Sequence, residues 1–175
     1  MTDKAITFMP LKADQESLII KWLDKDHVKE WFHGQGLQNI LRGVKAFIHN
    51  ENPSFKAWVA YLKGHPFAFL MSFPLTELDR ENPGCHQAKW LEKDKRMMGM
   101  DLLIGDENYL GKGLAKPLIS EFLSTLHRSV DIIFIDPELA NTRAIHVYEK
   151  AGFEKLEEFI ATWHPVPHIL MRMKR

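Results

Sequence analysis

The sequence predicts an α/β domain, and three observations lead there. Apolar residues recur at helical spacing in three consecutive segments near the N-terminus. The pattern then changes to alternation and short apolar runs, the signature of strands. From Met97 onward the order becomes strand, glycine-bearing loop, helix, strand, helix, strand, a β-α-β-α-β stretch that carries most of the functional information.

Each element has its own signal. Alternation in Ile6-Thr7-Phe8-Met9-Pro10-Leu11 predicts a first strand. Asp14 is positioned to cap a helix that turns Leu18, Ile19, Trp22 and Leu23 inward. Val28, Trp31 and Phe32 repeat that spacing in a short second helix. Leu37, Ile40, Leu41, Val44, Phe47 and Ile48 form one face of a third. Ser54 to Leu62 and Phe67 to Phe73 read as two strands around the turn Lys63-Gly64-His65-Pro66. Residues 75 to 95 are polar and read as a long loop, a type of segment that often carries function. Met97 to Ile104 is the next strand. A helix follows over Leu114 to Leu126, with Leu114, Leu118, Ile119, Phe122 and Leu126 inward. Val130 to Ile135 reads as a strand whose run Ile132-Ile133-Phe134-Ile135 is continuously apolar, as expected of a strand buried on both faces. Asn141 to Ala151 is a helix that Gly152 ends. Strands near Phe153 to Trp163 and His168 to Met173 complete the chain.

Composition narrows the function. The 175 residues fit one domain, 1–175, with room for a substantial core. Lys plus Arg and Asp plus Glu number 23 each, so the chain lacks the basic excess of a nucleic-acid binder. A single cysteine, Cys85, rules out an internal disulfide and suits a reducing compartment. No apolar run approaches the ~18 residues of a membrane span. Behind Met1-Thr2-Asp3-Lys4 there is no signal-peptide pattern. The expectation is a cytoplasmic protein, monomer or homodimer, acting on a small molecule without nucleic acid or membrane. Cys85-His86 has no partner at metal spacing, and His33, His65 and His146 belong to no visible constellation, so no metal is expected.

The sharpest local feature is Leu110-Gly111-Lys112-Gly113-Leu114, between a strand and a helix. Glycines allow backbone to approach a ligand closely. The first amides of a helix lack intrahelical partners and favour an anion. This is phosphate chemistry, with a glycine-rich helix start and no ligand as the alternative. Two phosphate motifs fail on spacing. A Walker A loop needs four residues between its glycines, but five separate Gly105 from Gly111. A dinucleotide fingerprint needs glycine or alanine where this chain has Lys116.

Asn108-Tyr109-Leu110-Gly111-Lys112-Gly113 resembles the acyl-CoA pyrophosphate loop of the GNAT acetyltransferase superfamily, except that Asn108 stands for its usual Arg or Gln. The segment Ile135-Asp136-Pro137, then Asn141 through Phe153, resembles the segment that follows the fifth core strand in that superfamily. The resemblance covers roughly residues 5 to 174. It implies a central mixed, mostly antiparallel sheet, splayed between strands 4 and 5 and flanked by helices. It implies acetyl-CoA bound along Leu102, Leu103 and Ile104, then Asn108, Leu110, Gly111, Lys112, Gly113 and Leu114, with Asn141 and Ala144 on the pantetheine arm. Attack of an amine on the thioester creates an oxyanion that needs a donor. By resemblance, a backbone N–H near Leu102 to Ile104 supplies it, and Tyr148 protonates the departing thiolate. Asn141 as a helix cap and Tyr148 as a packed aromatic are compatible with those roles.

A narrower resemblance links Gly99 to Ile104, Leu110 to Leu114, Asp136-Pro137, Asn141, Arg143 to Ile145 and Tyr148 to Phe153 to the aminoglycoside 6′-N-acetyltransferases. It implies Asp101 at the acceptor amine, as general base or anchor, and Asp136 on further amines of the drug. Trp31 and Trp90 are candidates to stack on sugar faces, though Trp31 lies at core spacing; Glu77, Asp79, Glu81, Glu92 and Asp94 could form an acidic rim, but Lys89, Lys93, Lys95 and Arg96 among them favour a solvated loop. Siderophore hydroxylysine acyltransferases are also similar, especially over residues 103–113, but carry histidine where this chain has Asp101. A catalytically inactive CoA-binding fold is the third alternative.

Overall fold

The computed structural model describes residues 5–161 and 164–175. Seven strands form one sheet in the order β1-β2-β3-β4-β5-β7-β6. They are β1 (Ile6–Pro10), β2 (Lys56–Leu62), β3 (His65–Leu75), β4 (Met97–Ile104), β5 (Ile132–Ile135), β6 (Glu154–Ala161) and β7 (His164–Lys174). All neighbouring pairs are antiparallel except β4 and β5. The mixed sheet expected from the sequence is therefore present. Trp163, the expected end of β6, lies outside the described residues.

Helices cover both faces: α1 (Glu16–Leu23), α2 (Asp26–Lys29) and α3 (Gly34–Ile48) on one, α4 (Ala115–Leu126) and α5 (Thr142–Ala151) on the other. Leu118, Ile119, Phe122, Ile145 and Tyr148 pack on Leu70, Met98, Met100, Leu102 and Ile133. On the opposite face Ile19, Trp22, Val28, Ile40 and Val44 pack on Val59, Phe69, Met71 and Leu103. Strand alternation thus sends Leu102 to one layer and Leu103 to the other. β5 is buried on both faces: Ile133 and Ile135 join the α4–α5 layer, and Ile132 and Phe134 a third cluster. Truncating Phe122 or Phe134, both fully buried, to alanine would cost about 3–5 kcal/mol, a large part of a domain's stability.

Several local details differ from expectation. A 3₁₀ turn, Ala13–Gln15, leads into α1, so Asp14 lies inside that turn and does not cap the helix. Helix α4 starts at Ala115 and buries Leu123, while Leu126 is exposed. Pro117 sits in its first turn, where a missing N–H costs nothing. The polar loop folds into two 3₁₀ turns, Glu77–Glu81 and Ala88–Trp90, over a third cluster that includes Leu75, Leu91, Met97 and Phe134.

Candidate active site

β4 and β5 pair over three positions only, Met97 with Ile132, Met98 with Ile133 and Gly99 with Phe134. Beyond Gly99, β4 keeps β3 as its partner through Ile104, while β5 ends at Ile135. The two strands part where the resemblance implied. The gap continues into a cleft of about 930 Å³. Its walls are the end of β4, the loop before α4, the start of α5 and the segment around α2 and the first half of α3.

The glycine loop forms one end. Gly111 and Gly113 both have left-handed backbones, φ +70° and +67°, with no atom within 4 Å of where a Cβ would stand. Among the described residues, no carbonyl or side chain accepts from the N–H of Gly111, Lys112 or Gly113. Alternating backbone hands with free N–H groups make a concave anion site. The loop precedes the helix by one residue, so Lys112 lies ahead of its first turn. The Lys112 ammonium sits 5.8 Å from the Tyr109 ring centroid, and the side chain is not part of the cleft wall. Asn108 also departs from expectation. Its side chain donates to Asp106 Oδ1 at 3.0 Å, and the residue lines a separate depression with Lys21 and Lys25. The aspartate caps the short turn before the loop and thereby captures the asparagine.

Helix α5 presents Asn141, Ala144, Val147 and Tyr148 to the cleft, positions that share a face at helical spacing. Asn141 caps the helix, its Oδ1 accepting from Ala144 N–H at 3.1 Å. Gly152 closes it in the left-handed region, φ +105°.

At the floor stand Asp101, Asp136 and Tyr148. Asp101 pairs with Met71 across β3–β4. Nearby, the Phe73 ring lies over Gly99, 2.3 Å from where a Cβ would be, so any larger residue there would displace the aromatic wall. Burial raises the Asp101 carboxyl to about 6. Burial, then the Asp101 charge, raises Asp136 to about 8. Two carboxylates in one low-dielectric site cannot both ionise cheaply, so they titrate as a pair and retain a proton near neutrality. Burial, followed by the two aspartate charges, raises the Tyr148 phenol. It is therefore a protonated donor over the whole physiological range.

The other sequence candidates divide. Trp31 lines the cleft beside Glu30 and Phe32. Trp90 does not: its Nε1 donates to Glu157 Oε1 at 2.9 Å, and its ring lies against the third core cluster. Nor does the loop form an acidic rim. Asp79 accepts from Thr76 N–H at 2.7 Å, and Glu92 forms ion pairs with Lys174 and Arg172.

The sequence reading missed a polar cluster in the same cleft. His33 Nε2 lies 2.9 Å and His164 Nε2 3.3 Å from Glu138 Oε1. His33, set aside from sequence as lacking a constellation, belongs to one. No local spacing signals it, because its members come from segments brought together only by the fold.

An antiparallel sheet opened at its one parallel pair, with an anion loop on one side of the gap and carboxyls on the other, defines an acyl-transfer fold. The chain matches the acetyltransferase (GNAT) domain family over residues 11–161 and belongs to it. Among its relatives is the aminoglycoside N(6′)-acetyltransferase type 1 of Klebsiella pneumoniae, 27% identical over 162 residues, covering 88% of this chain and 76% of that protein. The crystal structure of aminoglycoside N(6′)acetyltransferase from Legionella pneumophila superposes with a TM-score of 0.85 at 34% identity, covering 99% of this chain and 94% of that one. Aminoglycoside acetyltransferase AAC(6′)-Ib in complex with coenzyme A and kanamycin superposes with a TM-score of 0.77 at 25% identity, over 98% and 95% of the two chains.

Proposed function

We propose that the protein transfers the acetyl group of acetyl-CoA to an amine of an aminoglycoside, the 6′-amine in particular. The observation that carries this reading is the carboxyl pair Asp101–Asp136 at the cleft floor beside Tyr148. A polycationic sugar needs carboxylates to replace its lost hydration. The named relatives point to the same acceptor class.

The glycine loop fits the cofactor, since its unclaimed N–H groups and the start of α4 suit a pyrophosphate. Acetyl-CoA supplies an acetyl group activated as a thioester. Leu110, Leu114 and Ala144 provide apolar wall along its path. Asn141 spends its carbonyl oxygen on the helix cap and keeps two amide hydrogens as donors for the pantetheine arm. The free edge of β4 near Leu102 to Ile104 offers N–H to the reacting carbonyl oxygen. Asp101, with its raised pKa near neutrality, takes the proton that the amine must lose. Tyr148, kept protonated by its surroundings, holds the proton that the sulfur requires. Asp136 and Trp31 bind the acceptor through a second amine and a sugar face.

The test is thiol release from acetyl-CoA and from longer acyl-CoAs, over kanamycin, tobramycin, polyamines and N6-hydroxylysine. Turnover of an aminoglycoside, with acetylation located at the 6′-nitrogen by mass spectrometry, is the expected result. Turnover of hydroxylysine alone would replace this reading with siderophore acylation. No thiol release at all would leave an inactive CoA-binding fold.

A further inference from the structure

We propose that His33, Glu138 and His164 form a binding site for one divalent transition-metal ion of the zinc class. The three come from separate parts of the chain: the residue before α3, the loop after β5 and the first residue of β7. Both imidazole Nε2 atoms converge on the same carboxylate oxygen, at 2.9 Å and 3.3 Å. All three donor atoms lie within 4.8 Å of one another. Tetrahedral zinc, with bonds of about 2.0–2.2 Å, holds its ligand atoms roughly 3.4 Å apart. Two edges of the triangle are therefore already near that length, and the third is no longer than 4.8 Å.

The donor set selects the ion. Two imidazoles and one carboxylate suit zinc, cobalt or nickel, whereas magnesium and calcium demand oxygen ligands. The surroundings suit a bound ion that keeps an open position. The Glu138 and His164 side chains are each only 10% exposed, and His33 at 42% faces the cleft. The Glu138 segment is also held in place. It bridges His168 in an antiparallel pairing, with Leu139 N–H on Pro167 O at 2.8 Å and Ile169 N–H on Pro137 O at 3.0 Å. Gly34 leaves room for the imidazole of His164, which would lie 3.1 Å from a Cβ there.

An ion here joins α3, the β5–α5 loop and β7, so binding stabilises the folded state by mass action. None of the three residues has a part in acetyl transfer as described above. Metal binding here needs neither acyl donor nor acceptor, so its failure and that of the acetyl-transfer reading are separate results.

The experiment uses untagged, chelator-treated full-length protein, titrated with Zn²⁺ in calorimetry and with Co²⁺ by visible absorption. One equivalent should bind, and the melting temperature should rise with Zn²⁺ concentration. H33A and E138Q should each weaken binding by about 100-fold or more, beyond the loss expected from an outer-shell partner. H65A, at the exposed first residue of β3, should leave it unchanged. H164A should behave as H33A does, provided its circular dichroism is native. No binding by the wild-type protein, or binding equal in wild type, H33A and E138Q, would overturn the proposal and leave a hydrogen-bonded cluster only.

Discussion

The two ends of the cleft are built by different means. The end proposed to hold the cofactor is mostly backbone: N–H groups of Gly111, Lys112 and Gly113 that are free among the described residues, the first turn of α4 and the unpaired edge of β4. Its chemistry depends on dihedral angles and on where a helix begins. The end proposed for the acceptor is mostly side chains, Asp101 from β4, Asp136 from just after β5, Trp31 from beyond α2 and Tyr148 from α5. Its chemistry depends on charge held out of water. A backbone site tolerates loss of one side chain, as Asn108 illustrates by turning to Asp106. A side-chain site fails when a single carboxylate is lost. Substitutions at the acceptor end should therefore act on the chemical step, and those at the cofactor end on binding.

The largest effect is expected from Asp101→Asn, which keeps shape and removes the proton acceptor. A fall of about 10³-fold in kcat/KM for kanamycin is expected. The acid limb of the pH–rate profile, set by a carboxyl raised to about 6, should vanish with it. A rise in KM at unchanged kcat would assign Asp101 to anchoring the amine instead. Next comes Tyr148→Phe, whose ring can pack as before. Its kcat should drop by about 10²-fold, the lower range for a lost general acid, with acetyl-CoA binding unaltered. Wild-type kcat should show no alkaline loss attributable to the phenol, which burial and the neighbouring carboxylates keep protonated. Full kcat in Y148F would remove the acid role.

The cofactor end should respond more mildly. Gly113→Ala puts a side chain on a backbone at φ +67°, at about 1–2 kcal/mol of strain, and narrows the approach to the N–H groups. The KM for acetyl-CoA should rise about tenfold, equivalent to roughly 1.4 kcal/mol, with the acceptor KM little changed. An acceptor KM that moves as much as the cofactor KM would erase the division between the two ends.

The same contrast explains what the sequence made legible. Backbone sites are written locally: Gly111-Lys112-Gly113 and the Asn141 cap each occupy a few consecutive residues. Strand β4 and helix α5 were equally readable, because buried runs and caps are local patterns. Side-chain sites are written across the chain. Asp101 and Asp136 were found only because each flanks a local motif. His33 and His164 flank none, and Glu138, though it follows Asp136-Pro137, is no part of that pattern, so nothing marked the three as a set. Trp90 misled for the converse reason. An aromatic in a polar loop suggests a ligand contact, but here an indole N–H and an apolar cluster beneath the loop use it for packing.

The smallest effect concerns stability rather than rate, and it tests the acceptor end without any ligand. Asp136 is raised to about 8 by burial first and by Asp101 second, against about 3.9 in an unfolded chain. Between those two values the folded protein retains a proton that the unfolded chain has released. Its stability therefore falls as pH rises from about 4 to about 8 and levels off above, the reverse of an ion-paired aspartate. Asp136→Asn removes the charge and with it this slope. Because the cleft is open to water, the gain at pH 8 should be on the order of 1 kcal/mol, or about 2–4 °C in Tm for a chain of this length. At pH 4, where the wild-type carboxyl is already neutral in the folded state, the two proteins should melt much closer together. A cation that binds the pair does the same work as the proton it displaces. Acceptor affinity should accordingly tighten between pH 6 and 8 in the wild type, with proton release seen by calorimetry in buffers of different ionisation enthalpy, and that release should shrink in Asp136→Asn. Equal melting differences at both pH values would show that Asp136 is ionised in the free enzyme and that the acceptor end carries two charges before any amine arrives.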